Sequence, residues 1–548
     1  MNKKIRLLVF ACITALVMVI FISWRGFRVT EGTIPTLHAN FQGKTNVLQI
    51  NPAGRGYSWT PLAFFLREYA GQEITIEVSM QVWLERPAKL VWQINNDPFP
   101  VIAGGYDTTL RANQWHTVQG SNTVTVASSS WPVLYLSNHP GLLDNGTVYF
   151  ADLTVTVNGM VINGQSFSID TSLPALHTKW PFPIGAVLSY ESLFPAYPEH
   201  QLLNHFNVLG AENILKPGYI MPSPWTANGA YRWDITDRLV NLAEANGQKI
   251  RGHVLFWHEH TPEEFFRGSG KDGWATIDEL YTRMERHAKT VFEKYGGRIE
   301  WWDVHNEVVG ETGKGPRPAG APGSSSRYTQ IMEAAGKKGM DRYEFVLKAF
   351  QFARQYADAN GGRNVKLVLN EYSMELPSDG YYGAKHAEFL RVLDYLIANN
   401  APIDGVGIQG HYLHDWPNVR DVSRGIDAIT SRRNPRTGRN LTVHISEIDM
   451  SIFKQNEINW NNLSASTTTL AERELNTRLT QQGRRYREFF NMFEQKHREG
   501  KLDMVVFWGI GDGESWLNYV PINRTNHPLL FNRNFQPKPA FSELIRGR

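Results

Sequence analysis

The chain has 548 residues, more than one hydrophobic core usually holds, so two folded domains with appendages are expected. Its 56 Lys and Arg against 53 Asp and Glu leave a formal net charge of +3, and no dense basic run is interleaved with aromatics, which argues against a nucleic-acid partner. The one cysteine, Cys12, leaves no intramolecular disulfide, so stability must come from large cores.

Lys3, Lys4 and Arg6 precede a mostly apolar run from Leu7 to Trp24, which Arg25 and Arg28 follow. The run is long enough to cross a bilayer, and no small-x-small cleavage pattern comes after it. Residues 1–30 therefore read as a signal-anchor in preference to a cleaved signal peptide. Either way the rest of the chain is expected to be exported: secreted, periplasmic or membrane-tethered. Cys12 follows Val9-Phe10-Ala11, a faint likeness to a bacterial lipoprotein box. The apolar run before it is too short and the run after it too long, so it reads as a membrane-facing residue.

Residues 31–170 alternate in short segments with turn punctuation and little helical periodicity. Ile74, Ile76, Val78, Met80 and Val82 share one face of a strand, with Thr75, Glu77, Ser79, Gln81 and Trp83 on the other. Lys89 to Ile94, Thr123 to Ala127, Val133 to Leu136 and Thr147 to Val157 follow the same rule. The pattern predicts an all-β antiparallel sandwich of jelly-roll type. Its layout, ending in Val148-Tyr149-Phe150-Ala151-Asp152-Leu153-Thr154-Val155, resembles in a generic way the carbohydrate-binding modules that precede plant-polysaccharide hydrolases. Flat rings stack on the apolar faces of sugars, which makes Trp83, Trp92, Tyr106, Trp115 and Trp131 candidate platforms. Core packing is the competing reading for each.

From Trp180 to residue 548 strand and helix alternate. Eight strands are predicted at Ile184 to Ser189, Phe206 to Leu209, Ile250 to Phe256, Ile299 to His305, Val365 to Leu369, Asp404 to Ile408, Thr442 to Ser446 and Met504 to Trp508. Helical stretches include Ile235 to Ala245, Glu279 to Phe292, Tyr343 to Ala359, His386 to Asn399 and Leu470 to His497. This is the grammar of an α/β (β/α)8 TIM barrel, whose chemistry sits where strands end. Polar residues cluster there: Glu212-Asn213, Trp257-His258, Asn306-Glu307, Asn370-Glu371, Gln409 with His411, and Glu447 with Asp449. Two carboxylates at strand ends, Glu307 and Glu447, are the minimum equipment for cleaving a glycosidic bond.

The region from Trp180 onward resembles the retaining endo-β-1,4-xylanases of glycoside hydrolase family 10. Glu212-Asn213-Ile214-Leu215-Lys216 matches the family's Glu-Asn-x-x-Lys, and Gly252-His253 with Trp257-His258 its Gly-His-x-x-x-Trp-His. Trp302 to Glu307 matches Trp-Asp-Val-x-Asn-Glu, Gln409-Gly410-His411 matches Gln-x-His, and Glu447-Ile448-Asp449 the Glu-x-Asp of the nucleophile strand. Phe507-Trp508-Gly509 and Ser515-Trp516-Leu517 complete seven motifs in family order.

The resemblance implies Glu307 as acid/base and Glu447 as nucleophile, with His411 and Asp449 fixing the nucleophile. It gives Asn306 a bond to the sugar 2-hydroxyl. Glu212, Asn213, Lys216, His253 and Trp257 would hold non-reducing-side sugars, Gln409 would join the site, and Trp508 and Trp516 would roof the cleft. Independently of the resemblance, a general acid must hold its proton at working pH, and Trp301, Trp302 and an ionised Glu447 would favour this for Glu307. Glu447 and Asp449 share one face of an extended segment, as do Gln409 and His411 of the neighbouring one, so His411 can lie between two carboxylates.

No metal or other cofactor is called for. His253, His258 and His260 lack a further ligand type at zinc spacing. The implied partner is xylan or a related β-1,4-linked plant polysaccharide. A β-1,4-glucanase of the same fold stays open, to be decided by bulk near Lys216, Trp257 and Trp516. A non-catalytic polysaccharide receptor is disfavoured by the intact pair Glu307 and Glu447. Lys216 also reads as a surface lysine, and Trp516 as core. Three departures bear on specificity: Glu259-His260 stands where the family commonly has Gln, Asn370 is followed by Glu371 instead of Asp, and a long Gly- and Pro-rich segment, Gly310 to Ser326, follows Glu307. That segment reads as a rim on the leaving-group side, or as disorder.

Overall fold

The computed structural model describes residues 36–546 apart from 51–62, 67–68, 70, 95–98, 127–132, 138–141, 143–146, 162–169, 171, 190, 194–197, 222–224, 227–228, 322 and 460–461. The signal-anchor expectation for residues 1–30 and the platform candidate Trp131 lie outside the described residues. Among the described residues no helix is long and apolar enough to cross a membrane. The chain divides into two compact units, Met1–Ser168 and Ile169–Arg548.

The first unit is all-β. One antiparallel sheet contains Thr36–Phe41, Lys44–Ile50, Val148–Val157, Glu73–Leu84 and Trp115–Thr125 in that spatial order, and a second contains Ala63–Phe65, Val133–Leu136, Ala88–Ile94 and Val101–Leu110. Along Glu73–Leu84 burial alternates residue by residue, and Ile74, Ile76, Val78, Met80 and Val82 enter the core that the two sheets share. The predicted segment Thr123 to Ala127 is the end of a strand that begins at Trp115. Thr36–Phe41, Lys44–Ile50 and Val101–Leu110 escaped prediction because Gly and polar residues interrupt their apolar pattern, and Ala63–Phe65 and Met160–Val161 because they are so short.

The platform candidates separate by burial. Trp92 is 0% exposed inside the shared core, so no sugar can reach its ring. Trp83 and Trp115 are half-buried on the opposite face, where Phe41 meets both edge-on at 5.1 and 6.4 Å and stacks on Tyr149 at 3.9 Å. Tyr106 is exposed.

The second unit is a closed barrel of eight parallel strands: β1 Ile184–Leu188, β2 Val208–Ala211, β3 Lys249–Gly252, β4 Trp301–Asn306, β5 Lys366–Glu371, β6 Gly405–Ile408, β7 Thr442–Ser451 and β8 Leu502–Phe507. Each pairs with the next in parallel, with register shifts between β4 and β5 and between β7 and β8, and β8 returns to β1 through Ile184 and Val505. The predicted third strand is split. It stops at Gly252 and resumes as Phe256–Trp257, which pairs with His305 and Asn306 at the mouth of the barrel.

Alternation on β8 sorts the two cores. Val505 and Phe507 face the helices, with Phe507 stacked on Phe490 of the helix Glu472–Arg498, while Met504, Val506 and Trp508 join Val187 and Val208 in the interior cluster. Between strands the apolar faces of helices complete the outer core. The helix Ile277–Tyr295 starts with a capping box, Thr276 accepting from the Glu279 amide at 3.2 Å while the Glu279 carboxylate accepts from the Thr276 amide at 2.8 Å. Helices at Arg327–Ala334, Val419–Thr430 and Pro539–Ile545 were not foreseen from the sequence.

Trp92 gives the unfolding prediction. Trp92→Ala should cost about 3–5 kcal/mol of sandwich stability in urea unfolding, the range for truncating a buried aromatic. Trp115→Ala, at a half-buried site, should cost clearly less; equal losses would contradict the packing.

Candidate active site

Every strand-end residue named from the sequence lies at the carboxyl end of the barrel strands or in the loop that follows. Asn306 closes β4 and Glu307 follows it with φ 55°, a left-handed conformation that costs a non-glycine residue about 1–3 kcal/mol and gathers at functional sites. The turn aims the Glu307 carboxylate at four donors. Its Oε1 accepts from Asn306 Nδ2 at 3.1 Å and Gln409 Nε2 at 3.0 Å, and its Oε2 from Trp257 Nε1 at 3.3 Å and an Arg317 Nη at 3.2 Å.

Trp301 and Trp302 are not part of this environment. They begin β4, roughly 16 Å of extended chain before Glu307. Trp302 packs against Phe292, and Trp301 lies near His444 and under Lys249. The ring beside the carboxylate is Trp257, brought there by the resumed segment after β3.

Glu447 lies within β7 and is buried. Asn370 Nδ2 donates to its Oε1 at 2.6 Å and His411 Nε2 faces its Oε2 at 3.3 Å. Burial alone would push this carboxyl up, but the His411 hydrogen bond and the charges of His253, His411 and Arg251 outweigh it and hold the pKa at about 2. His411 begins a short strand, His411–Leu413, in parallel register with Asp449, and its Nδ1 meets Asp449 Oδ1 at 3.0 Å. Burial opposes charge on this imidazole too, yet Asp449 and Glu447 together raise it to about 10, so it is an imidazolium at neutral pH. Trp516 Nε1 holds the other oxygen of Asp449 at 2.8 Å and packs its ring on His411 at 4.9 Å. Trp516 is therefore tied to the site by a polar contact that plain core packing would lack.

A buried network underlies both glutamates. Arg251 and His253 of the third-strand end hold the two oxygens of Asp303 at 2.5 and 2.8 Å. Arg251 also reaches Asn370 Oδ1 at 3.3 Å, which accepts from Ser446 Oγ at 2.7 Å, while Asn370 Nδ2 donates to Asn306 Oδ1 at 2.9 Å. Asn306 Oδ1 takes a further bond from Gln409 at 3.2 Å.

Lys216 is buried, which removes the surface reading. Its Nζ donates to Asn213 Oδ1 at 2.8 Å and lies 4.8 Å from the Trp257 ring centroid and 5.9 Å from that of Trp508. Burial lowers its pKa, against the pull of Glu212, Glu447, Glu307 and Glu259. His253 packs edge-on to Trp508 at 5.3 Å. The three histidines of the third loop have separate partners: His253 takes Asp303, His258 takes the Gly323 carbonyl at 3.1 Å, and His260 stacks on Trp257 at 5.2 Å. Burial lowers His258 to about 3 and His260 to about 4. Among the described residues no group of three such side chains is placed to hold a metal ion.

Of the departures, Glu371 is fully buried in an ion pair with Lys385 at 3.1 Å, and burial lifts it to about 7. Glu259 is half-buried, and burial followed by the charge of Glu307 raises it. The segment 310–326 is folded back by bridges Val309 to Pro316 and Ala319 to Ser326. It delivers Arg317, a contact to Glu307 that sequence reasoning missed. The signal was a lone arginine inside a stretch dominated by Gly and Pro.

The histidine and its carboxylates set a stability profile. His411, raised from 6.5 to about 10, stabilises the fold fully below its unfolded value and loses that contribution as pH rises toward 10. Glu447, lowered from 4.5 to about 2, contributes above 4.5 and stops contributing as pH falls toward 2. In urea unfolding, the stability gap between wild type and His411→Asn should shrink steadily from pH 6.5 to 10. A gap constant across that window would refute the charged imidazole.

Residues 175–546 match the model of glycosyl hydrolase family 10. The chain is similar to the thermostable celloxylanase of Thermoclostridium stercorarium, 33% identical over 380 residues that make up 66% of this chain and 84% of that protein. It is 28% identical over 451 residues to endo-1,4-beta-xylanase C of Paenibacillus barcinonensis, covering 80% of this chain but only 38% of the relative. Among solved structures, a GH10 protein from Paenibacillus barcinonensis superposes with a TM-score of 0.58 at 29% identity, covering 68% of this chain and 97% of that one. With a family match over more than half its length, the chain belongs to glycosyl hydrolase family 10.

Proposed function

We propose that the protein is an endo-acting, retaining β-1,4-xylanase with Glu447 as nucleophile and Glu307 as acid/base. The observation that carries the reading is the contrast between two neighbouring carboxylates. Glu447 is held ionised by an imidazolium and an amide, while Glu307 sits on a strained turn among the donors Asn306, Gln409, Trp257 and Arg317 at the same barrel mouth. In the first step a Glu447 oxygen bonds the anomeric carbon as the glycosidic C–O bond breaks, and the Glu307 proton passes to the departing oxygen. In the second, Glu307 takes a proton from water, the water oxygen bonds the anomeric carbon, and Glu447 leaves as carboxylate. Two inversions give net retention. Asn306 is assigned the sugar 2-hydroxyl; Glu212, Asn213, Lys216, His253, Trp257, Gln409, Trp508 and Trp516 line the cleft.

The names of similar proteins favour xylan as substrate, and xylanase appears among them repeatedly. One relative is named a celloxylanase, which keeps activity on β-1,4-glucan as a second reading for this cleft. Export, with tethering through residues 1–30, belongs to the proposal, since an insoluble polysaccharide cannot enter a cell.

Glu447→Gln should abolish turnover of xylo-oligosaccharide with binding largely kept. Glu307→Ala should lose about 10²–10⁴ in rate on xylan yet spare substrates with good leaving groups. Proton NMR of a fresh digest should show the β-anomer first; α-anomer appearing first would overturn the assignment of Glu447.

We propose further that the sandwich binds an insoluble β-glycan, supported by the exposed Tyr106 and the partly exposed rings of Trp83 and Trp115. Deleting residues 31–170 from the chain should weaken pull-down on insoluble xylan and leave hydrolysis of soluble xylan intact. Unchanged pull-down would reduce this unit to a spacer.

A further inference from the structure

Arg317 is 4% exposed, and every nitrogen of its guanidinium has an acceptor nearby. Its Nε donates to the main-chain oxygen of Glu307 at 2.9 Å, and one Nη donates to Glu307 Oε2 at 3.2 Å and to the Tyr372 hydroxyl at 2.9 Å. The other Nη reaches the Gly323 carbonyl at 3.3 Å and lies 3.4 Å from Glu311 Oε1. Tyr372 donates onward to Glu311, and His258 meets the same Gly323 carbonyl at 3.1 Å, so the segment 310–326 is fastened from two sides.

Arg317 thus grips one residue twice, by its backbone and by its carboxylate. Glu307 has a left-handed backbone, φ 55°, that local preference alone would not hold. A planar fork with five donors can make this pattern, and an ammonium cannot. We infer that Arg317 is a positioning residue for Glu307, locking the acid/base in line with the departing oxygen and favouring its ionised form once the proton has been given away. The inference rests on the proposed role of Glu307. It also gives the segment 310–326 a purpose: it carries the guanidinium that holds the acid/base.

Other titratable groups facing Glu307 are Glu259, Lys216 and His260, the last lowered to about 4 by burial, from the second and third loops, and Glu371 from β5. Arg317 also pulls Glu259 and Glu371 down, so the pH profile is read together with the leaving-group dependence. Removing the guanidinium has two separable consequences. The carboxyl loses its orientation, which slows departure of poor leaving groups, and the ionised form loses a cation, which moves the alkaline limb of kcat/KM to higher pH.

The test uses the full chain with Arg317→Met and Arg317→Lys, a xylo-oligosaccharide as the substrate with a poor leaving group, and a dinitrophenyl xylobioside as the one with a good leaving group. Arg317→Met should lose about 10- to 100-fold in kcat/KM on the oligosaccharide, the scale of a misplaced catalytic group. It should be near wild type on the aryl glycoside, with the alkaline limb raised. Arg317→Lys should restore the limb but not the oligosaccharide rate. Equal losses on both substrates, or an unmoved limb in a variant with wild-type melting temperature, would overturn the inference. If Arg317→Met does not fold, Tyr372→Phe frees one side of the guanidinium and should shift the substrate ratio in the same direction; no shift there would also overturn it. Failure of the underlying reading looks different: Glu307→Ala would then keep wild-type activity on the oligosaccharide.

Discussion

One buried amide organises the mouth of the barrel. Asn370 uses all four of its hydrogen-bonding positions, donating to Asn306 and Glu447 and accepting from Arg251 and Ser446. These partners come from the ends of β3, β4 and β7, so one side chain on β5 spaces the strand carrying Glu307 from the strand carrying Glu447. The neighbouring strand must make room for it. A Cβ on Gly407 of β6 would lie 2.0 Å from Asn370 Oδ1, which only glycine avoids. A buried polar network whose central amide is fully satisfied is rigid, because displacing that amide leaves buried groups unpaired.

Charge follows from that rigidity. Asp449, His411 and Glu447 form a carboxylate, imidazolium and carboxylate array in which His411 and Glu447 sustain each other's charge against desolvation. Trp516 closes the array by holding Asp449 and covering His411. The outcome is a carboxylate, Glu447, that stays ionised while buried. On the other side of the cleft the donors to the Glu307 carboxylate are three neutral groups and one arginine. The two glutamates therefore live in different surroundings only a few bonds apart along the Asn306 to Asn370 chain, which is what a division of labour between two carboxyl groups requires.

Much of this was legible in the chain itself. A parallel barrel buries its strands on both faces, so all eight strands appear as short apolar runs, although the third proves to be split. The strand-end motifs then name Glu307, Glu447, His411 and Asp449. Period-two alternation was enough to foresee His411 between Glu447 and Asp449, because residues two apart on neighbouring extended segments must share a face. The same rule found the core of the sandwich along Glu73–Leu84. It also explains the failures: Trp92 and Trp115 look alike in sequence, and only packing decides that one is sealed in the core and the other is half open.

Local sequence therefore determined which residues end the strands, which faces they share and which family they signal. Tertiary structure decided the rest, because it depends on contacts between segments far apart in the chain. The expectation that Trp301 and Trp302 would surround Glu307 came from adjacency along the chain, but extended backbone carries neighbours away at about 3.3 Å per residue. The ring and the cation that reach Glu307 come from Trp257, on the short strand that resumes after β3, and Arg317, on a loop that no periodicity describes. Lys216 is a surface residue by composition and a buried one by its place over Trp257. Sequence sets the hand each strand deals to the barrel mouth, and closure of the barrel sets which of those side chains meet.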